Sequence, residues 1–317
     1  MTKTNQQKVK DFLINNGVII VMFILVIYTG FTSDNFFTKN NFMNILMNMS
    51  SRLVIALGIA GCVITAGCDL SAGRMIGFGA CISGMLLQRM DYSGKFFPDM
   101  QPLNVFVVAL IAMLVCAAFG TVTGFFIAYL NVPPFIATLA MMEIVYGIGL
   151  IVTNATPLGG YVEQYTNVSN GKFLGINYLI WIAIIVAAIT WFIFNMTRHG
   201  KYMYAIGGNP QAAEVAGVPV KATMILIYMK AAAMYGLAGF MLGAKAGGAS
   251  VQTGYGYEME AIAACTIGGV SVTGGRGKVS SAIIGVAVFE LLKVALQYLG
   301  MNANAQYIAI GVVIFIA

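Results

Sequence analysis

YAIGGNPQAAEVAGVPV, residues Tyr204 to Val220, lies between two apolar runs, one over about 176–196 and one that resumes after Lys221. Its residues specify a short helix with a defined start and stop. Asn209 is a good N-cap, because its side-chain oxygen can accept an orphan backbone N–H. Pro210 suits the first helical position, where no N–H is needed. Gly217 suits the position just past the end, and Pro219 forbids continuation. Ala212, Ala213 and Ala216 give the helix a slim face that permits close approach to another protein surface. The plain alternative is a capped loop with no further role.

The flanking runs set the solvent of the chain. Of 317 residues, 59% are hydrophobic and 9% charged, against about 25% charged in soluble globular domains. The sequence is that of an integral membrane protein, so the net charge of +6 is assigned to basic loops and not to nucleic-acid binding. Cys62, Cys68, Cys81, Cys116 and Cys265 sit in apolar runs without disulfide or metal spacing, and His199 is the single histidine. The first run, about 12–31, lacks a small-residue cleavage site and reads as a retained span.

A span needs roughly 20 apolar residues. Candidate spans cover about 12–31, 43–67, 72–88, 104–130, 134–153, 176–196, 222–243 and 279–299, and a last run starts near 304. A shorter run, 259–272, reads either as a short span or as a re-entrant half-helix. Lys3, Lys8 and Lys10 place the N-terminus on the cytoplasmic side. Arg198, His199, Lys201 and Lys221 place 197–221 on the same side, leaving 91–101 and 154–172 outside. If 259–272 crosses, Arg276 and Lys278 are cytoplasmic as well, which the charge rule favours. The expected fold is an all-α polytopic membrane domain over residues 1–317, with about ten transmembrane helices, one of them short or re-entrant. The apolar ending GVVIFIA leaves helix carbonyls without partners in lipid, so a basic cytoplasmic tail is expected to follow.

Gly67-Cys-Asp-Leu-Ser-Ala-Gly-Arg74 parallels Gly269-Val-Ser-Val-Thr-Gly-Gly-Arg276. Both follow an apolar run, as in transporters built from repeated mid-membrane breaks; chance similarity in glycine-rich sequence is the alternative. Gly236, Gly239 and Gly243, with Ala232 and Ala246, are spaced for close helix packing. Thr273-Gly-Gly-Arg-Gly-Lys278 fails as a phosphate loop, since Val272 and Val279 occupy its first Gly and its Ser/Thr positions. No catalytic constellation is found.

Gln211-Ala212-Ala213-x-x-x-Gly217 resembles the Glu-Ala-Ala-x-x-x-Gly loop of binding-protein-dependent ABC importer permeases. The first residue departs from that pattern, and the later Ile-x-Leu-Pro is replaced by Ile227-Tyr-Met-Lys230. Arg52–Ala80, Ala128–Ile148 and Glu258–Lys278 resemble the monosaccharide branch, above all permeases of the galactose/methyl galactoside type. Ribose, xylose and arabinose permeases share much of this pattern. The resemblance implies a type II-importer-like fold in a bacterial inner membrane. It implies a non-enzymatic subunit, with ATP and Mg²⁺ used by a partner ATPase that has two fused nucleotide-binding domains. The other implied partners are a second copy of the chain and an extracytoplasmic sugar-binding protein. It assigns Asn209, Pro210, Gln211, Ala212, Ala213, Glu214 and Gly217 to the coupling helix that docks on the ATPase.

Ionisable residues within spans usually face a bundle interior. Asp69 and Arg74 flank a break and are expected to pair with each other. Arg52, Glu143, Glu290 and Lys293 also lie in apolar runs. Gln252, Tyr255, Tyr257 and Glu258 offer the planar polar groups and aromatics that suit a sugar, and with Asp69 and Arg74 they are the candidate substrate pathway. An ion-coupled secondary transporter using Asp69 is the competing function, and it has no need of the 210–217 helix.

Overall fold

The computed structural model describes residues 17–33 and 35–316; Lys3, Lys8 and Lys10 lie outside them. The chain is helical, with α1 Gly17–Thr32, α2 Lys39–Ile64, α3 Ala72–Leu86, α4 Val105–Tyr129 and α5 Pro134–Thr153. They are followed by α6 Glu163–Asn170, α7 Tyr178–Met196, α8 Arg198–Gly208, α9 Pro210–Val215 and α10 Val220–Ala246. The last three are α11 Tyr257–Ile267, α12 Val279–Tyr298 and α13 Ala303–Ile316. A two-residue hairpin, Lys172–Phe173 with Ile176–Asn177, joins α6 to α7. Every apolar run read from the sequence contains a helix. Among the described residues, six of the helices (α2, α4, α5, α7, α10 and α12) are long and apolar enough to cross a membrane by themselves. α6, α8 and the hairpin fall in polar connections where apolar periodicity gives no signal.

The helix starts are built from local caps. The side chains of Thr38, Asn104, Asn177, Thr197 and Asn209 each accept a backbone N–H from the first turn of α2, α4, α7, α8 and α9.

α10 is the hub and packs on α2, α3 and α4. Its glycines let backbones touch. A Cβ at Gly236 would lie 2.4 Å from Ala112 O on α4, and one at Gly239 would lie 2.2 Å from Ile76 O on α3. In lipid, such close backbone approach replaces the missing hydrophobic drive between helices. α6 covers the far end of α10, where Tyr165 donates to Phe240 O and Ser169 to Ala244 O.

Two short helices break the pattern of full crossings. α11 has 11 residues, about 16 Å at 1.5 Å per residue, roughly half a hydrocarbon core. It starts beside the middle of α2, where Arg52 meets Glu260. It ends toward the C-terminus of α2, past the contact of Cys265 with Ala56 O. The connection after it joins the basic end of the bundle: Gly275 N–H donates to Ile64 O, and Tyr204 on α8 donates to Gly277 O. The 259–272 run reads as a short span or a re-entrant half-helix, and its helix has only about half the length of a full span. It is a half-helix that delivers Arg276 and Lys278 to the same end as 197–221. α12 then runs the whole way back, and its Tyr298 bonds Asn35 O between α1 and α2.

α3 is the second half-helix, with 15 residues. Its first turn also lies deep in the bundle, where Gly73 abuts Gly254 O and Gly77 abuts Val251 O. Its end is tied to the opposite face of the bundle, with Leu103 N–H donating to Leu86 O. α3 and α11 thus meet N-terminus to N-terminus and run to opposite ends.

Candidate functional site: a capped basic-end helix and a mid-bundle polar cluster

At the basic end α9 has the expected cap at each terminus. Asn209 Oδ1 accepts from Ala212 N–H at 2.9 Å. Past the helix, Gly217 sits at φ +82°, Gly217 N–H donates to Glu214 O, and Val218 N–H donates to Ala213 O. This pair of bonds is the Schellman closure, and the left-handed residue it needs carries no Cβ penalty as glycine. Pro210, Gln211, Ala212, Glu214 and Gly217 are exposed. Ala213 is not: it is buried, 5% exposed, against the body of the protein. The slim alanine face therefore divides. Ala213 seats the helix, while Ala212 and Ala216 face outward. The sequence reading missed Val215, 91% exposed; its signal was an apolar residue within a two-turn polar helix.

The predicted pathway residues separate into three groups. Asp69 is buried and turns back on its own chain. Its Oδ1 accepts from Ser71 N–H at 3.0 Å and from Ser71 Oγ at 2.6 Å, which fixes the turn into α3. It does not pair with Arg74, so the expected ion pair is absent. An Asx-type turn supplies the break with a hydrogen-bonding partner locally, in place of the expected contact with Arg74.

Arg74 lies instead between two rings, its guanidinium 3.9 Å from the Tyr146 centroid and 4.3 Å from that of Tyr255. Arg74 Nη1 donates to Gln252 Oε1 at 2.8 Å, and Gln252 Nε2 donates to Tyr146 Oη at 3.1 Å. A planar delocalised cation suits this stacking. Tyr146 on α5 was not singled out from sequence. Glu143, one turn earlier on the same helix, is exposed in the middle of an apolar span. Glu258 is buried at the first turn of α11, its carboxylate pressed on Gly73 of α3, where a Cβ would lie 2.0 Å from Oε2. Only glycine at 73 lets the two half-helix N-termini converge on this carboxylate, and both termini favour a negative charge there.

Tyr257 leaves the predicted group and joins a third one. Arg52 bonds Glu290 at 2.5 Å and Glu260 at 3.4 Å, and Lys293 bonds Glu260 at 2.5 Å. The Tyr257 ring lies 5.0 Å from Arg52 and 6.0 Å from Lys293. Two cations and two carboxylates balance here, tying α2, α11 and α12 together. The sequence showed each charge but not that they meet.

Two half-helices start at mid-bundle beside stacked polar and aromatic groups, and a rigid short helix projects from the basic end. Residues 41–317 match the family described as branched-chain amino acid transport system / permease component. The chain belongs to this permease family. The permease is 39% identical over 324 residues to the galactose/methyl galactoside import permease protein MglC of Escherichia coli K12, covering all of this chain and 96% of that protein. The Haemophilus influenzae protein of the same name is 40% identical, again over the whole chain. The ribose import permease protein RbsC of E. coli K12 is 32% identical over 97% of the chain and 94% of that protein. No solved structure matches it. The permease is thus a multi-pass membrane protein with the transport subunits of sugar importers as relatives.

Proposed function

We propose that this permease is the membrane-spanning subunit of an ATP-binding-cassette importer for a monosaccharide, galactose or a methyl galactoside. The observation that carries the reading is α9, a helix closed at both ends and seated by Ala213. It presents Gln211, Ala212, Glu214 and Val215 to a partner. Six residues do not hold a helix by themselves, and the caps at both termini fix this one in a single shape, as a docking surface requires. The partner is an ATPase with fused nucleotide-binding domains, which hydrolyses ATP with Mg²⁺. The basic end is then cytoplasmic, the N-terminus lies on that side, and the chain passes the bacterial inner membrane about ten times, counting the half-helices.

The sugar path runs along the face bearing Glu143, Tyr146, Arg74, Gln252 and Tyr255, with Glu258 behind it. A carboxylate exposed at mid-span is too costly to face lipid. Glu143 therefore faces water or a second copy of the chain, which fits a dimer enclosing the path. An extracytoplasmic binding protein delivers the sugar, so the wall needs only weak contacts. The capping role of Asp69 takes away the main support for ion-coupled transport.

The experiment is copurification with the ATPase and binding protein, followed by sugar-stimulated ATP hydrolysis in nanodiscs. Stimulation by galactose or methyl galactoside is the expected result. Uptake that needs an ion gradient and no ATPase overturns the proposal, and stimulation by ribose alone overturns the choice of sugar.

A further inference from the structure

A groove opens on the bundle near the basic end. Its floor is α2 at Leu57, Gly58 and Gly61, its walls are α7 and α10, and α8 closes it at His199. The glycine floor lets the groove reach deep between the walls. Its cavity is about 30 Å³, enough for a water or two or for one oxygen of a larger group. Lys230 of α10 projects into it and has no hydrogen-bond or ion-pair partner among the described residues. Among the described residues, His199 and Lys230 are the only titratable groups lining it. None of the four helices that build it contains an aspartate or glutamate. The nearby Arg198 and Lys201 are exposed and add further positive charge. Thr190 also lines it but spends its hydroxyl on Val186 O, and the walls are otherwise apolar, with Ile193 and Phe194 on one side and Ile227 and Met234 on the other.

An ammonium at such a depth calls for an anion, and the described residues supply none here. We infer that the groove binds the phosphate headgroup of an anionic phospholipid from the leaflet at the basic end. One phosphate oxygen reaches Lys230, His199 donates its N–H, and an acyl chain lies along the half-buried Ile193 and Met234. Long cations beneath the interface pair with headgroups in this way. The apolar walls fit a lipid and not free phosphate, which would leave them bare. The inference is independent of the transported sugar.

The test uses the intact purified permease in detergent, examined by native mass spectrometry with added phosphatidylglycerol, phosphatidylcholine or inorganic phosphate. Wild type should retain phosphatidylglycerol in preference to phosphatidylcholine, and millimolar inorganic phosphate should not displace it. Lys230→Met should lower the retained phosphatidylglycerol about fivefold, the weight of one basic residue at an anionic surface, and Lys230→Arg should keep it. Because His199 is the single histidine, a ¹⁵N-histidine spectrum reports on the groove alone. Phosphatidylglycerol should move its titration upward, since a nearby anion favours imidazolium. These wild-type arms decide the matter even if Lys230→Met fails to insert. Equal retention of the two lipids, displacement by inorganic phosphate, an unmoved histidine titration, or unchanged retention in an inserted Lys230→Met protein would each overturn the lipid assignment.

Discussion

Replacing Glu290 by glutamine should expose how the charged cluster holds α2, α11 and α12 together. Glu290 is 2% exposed and lies 2.5 Å from Arg52 Nη1. Arg52 and Lys293 also share Glu260, so two positive and two negative groups balance. Glu290→Gln leaves one positive charge in excess. At about 4 Å between charge centres and an effective dielectric near 20, the lost attraction is about 4 kcal/mol. Breaking a buried pair from one side typically costs about 3–5 kcal/mol, so the two routes to the figure agree. Arg52→Gln alone leaves a carboxylate in excess and should lose a similar amount. The double variant Arg52→Gln/Glu290→Gln keeps the neutral Lys293–Glu260 pair. Its loss should be smaller than the sum of the single losses by about 2 kcal/mol or more. Glu260→Gln should be at least as harmful as Glu290→Gln, because Glu260 serves both cations. The assay is equilibrium unfolding in mixed micelles, with monodisperse yield as a second readout. Single losses that simply add in the double variant would refute the coupling. So would a Glu290→Gln protein as stable as wild type.

Gly239→Ala should lower folded yield sharply, by about 1–3 kcal/mol or more of overpacking, because backbone on α3 blocks the new methyl. Gly208→Ala, with no atom in its way within 4 Å, should leave yield unchanged. On α9, Val215→Asp should leave insertion intact and reduce sugar-stimulated ATP hydrolysis in the nanodisc assay, whereas Ala213→Trp should disturb the seat of the helix and raise protease cleavage near Gly217. Asn209→Ala should weaken α9 by about 1 kcal/mol through loss of its cap, seen as faster amide exchange at Ala212. His199, in α8, has its pKa lowered to about 4 by burial and by the nearby Lys230. Between the unfolded value near 6.5 and about 4, the unfolded chain binds the extra proton, so stability should fall as pH drops through that window. In lipid-free detergent this part of the slope should be lost in His199→Gln, leaving the share that carboxylates contribute; a slope of equal size in the variant would contradict the assignment.

Much of this architecture was legible in the residues. Apolar runs marked the helices because lipid cannot satisfy a bare backbone, and a helix is the local structure that satisfies its own. The ends of α9 were readable from Asn209, Pro210, Gly217 and Pro219, since caps are interactions between residues a few positions apart. Gly236 and Gly239 announced close packing, though not which helices they would meet.

The candidate site was legible in part. Arg74, Gln252 and Tyr255 do come together, and their residue types gave the chemistry. Tyr146 stayed hidden because an aromatic residue in an apolar span carries no local mark. Asp69 and Arg74 invited a pairing by proximity in sequence, yet Asp69 found Ser71 first, two residues away and at no cost in chain closure. Tyr257 and Glu258 are adjacent in sequence but serve different groups, because successive helix positions point about 100° apart.

The sequence by itself determined that the chain is a membrane-embedded helical protein with a capped helix at its basic end, because those features rest on composition and on contacts a few residues long; the permease reading came from resemblance to a family. Tertiary structure alone decided that α3 and α11 meet tip to tip over Gly73, that Arg52, Glu260, Glu290 and Lys293 form one neutral cluster, and that Ala213 faces inward. Each depends on which helices are neighbours, and that is set by the total packing of glycine faces and the pairing of charges excluded from lipid.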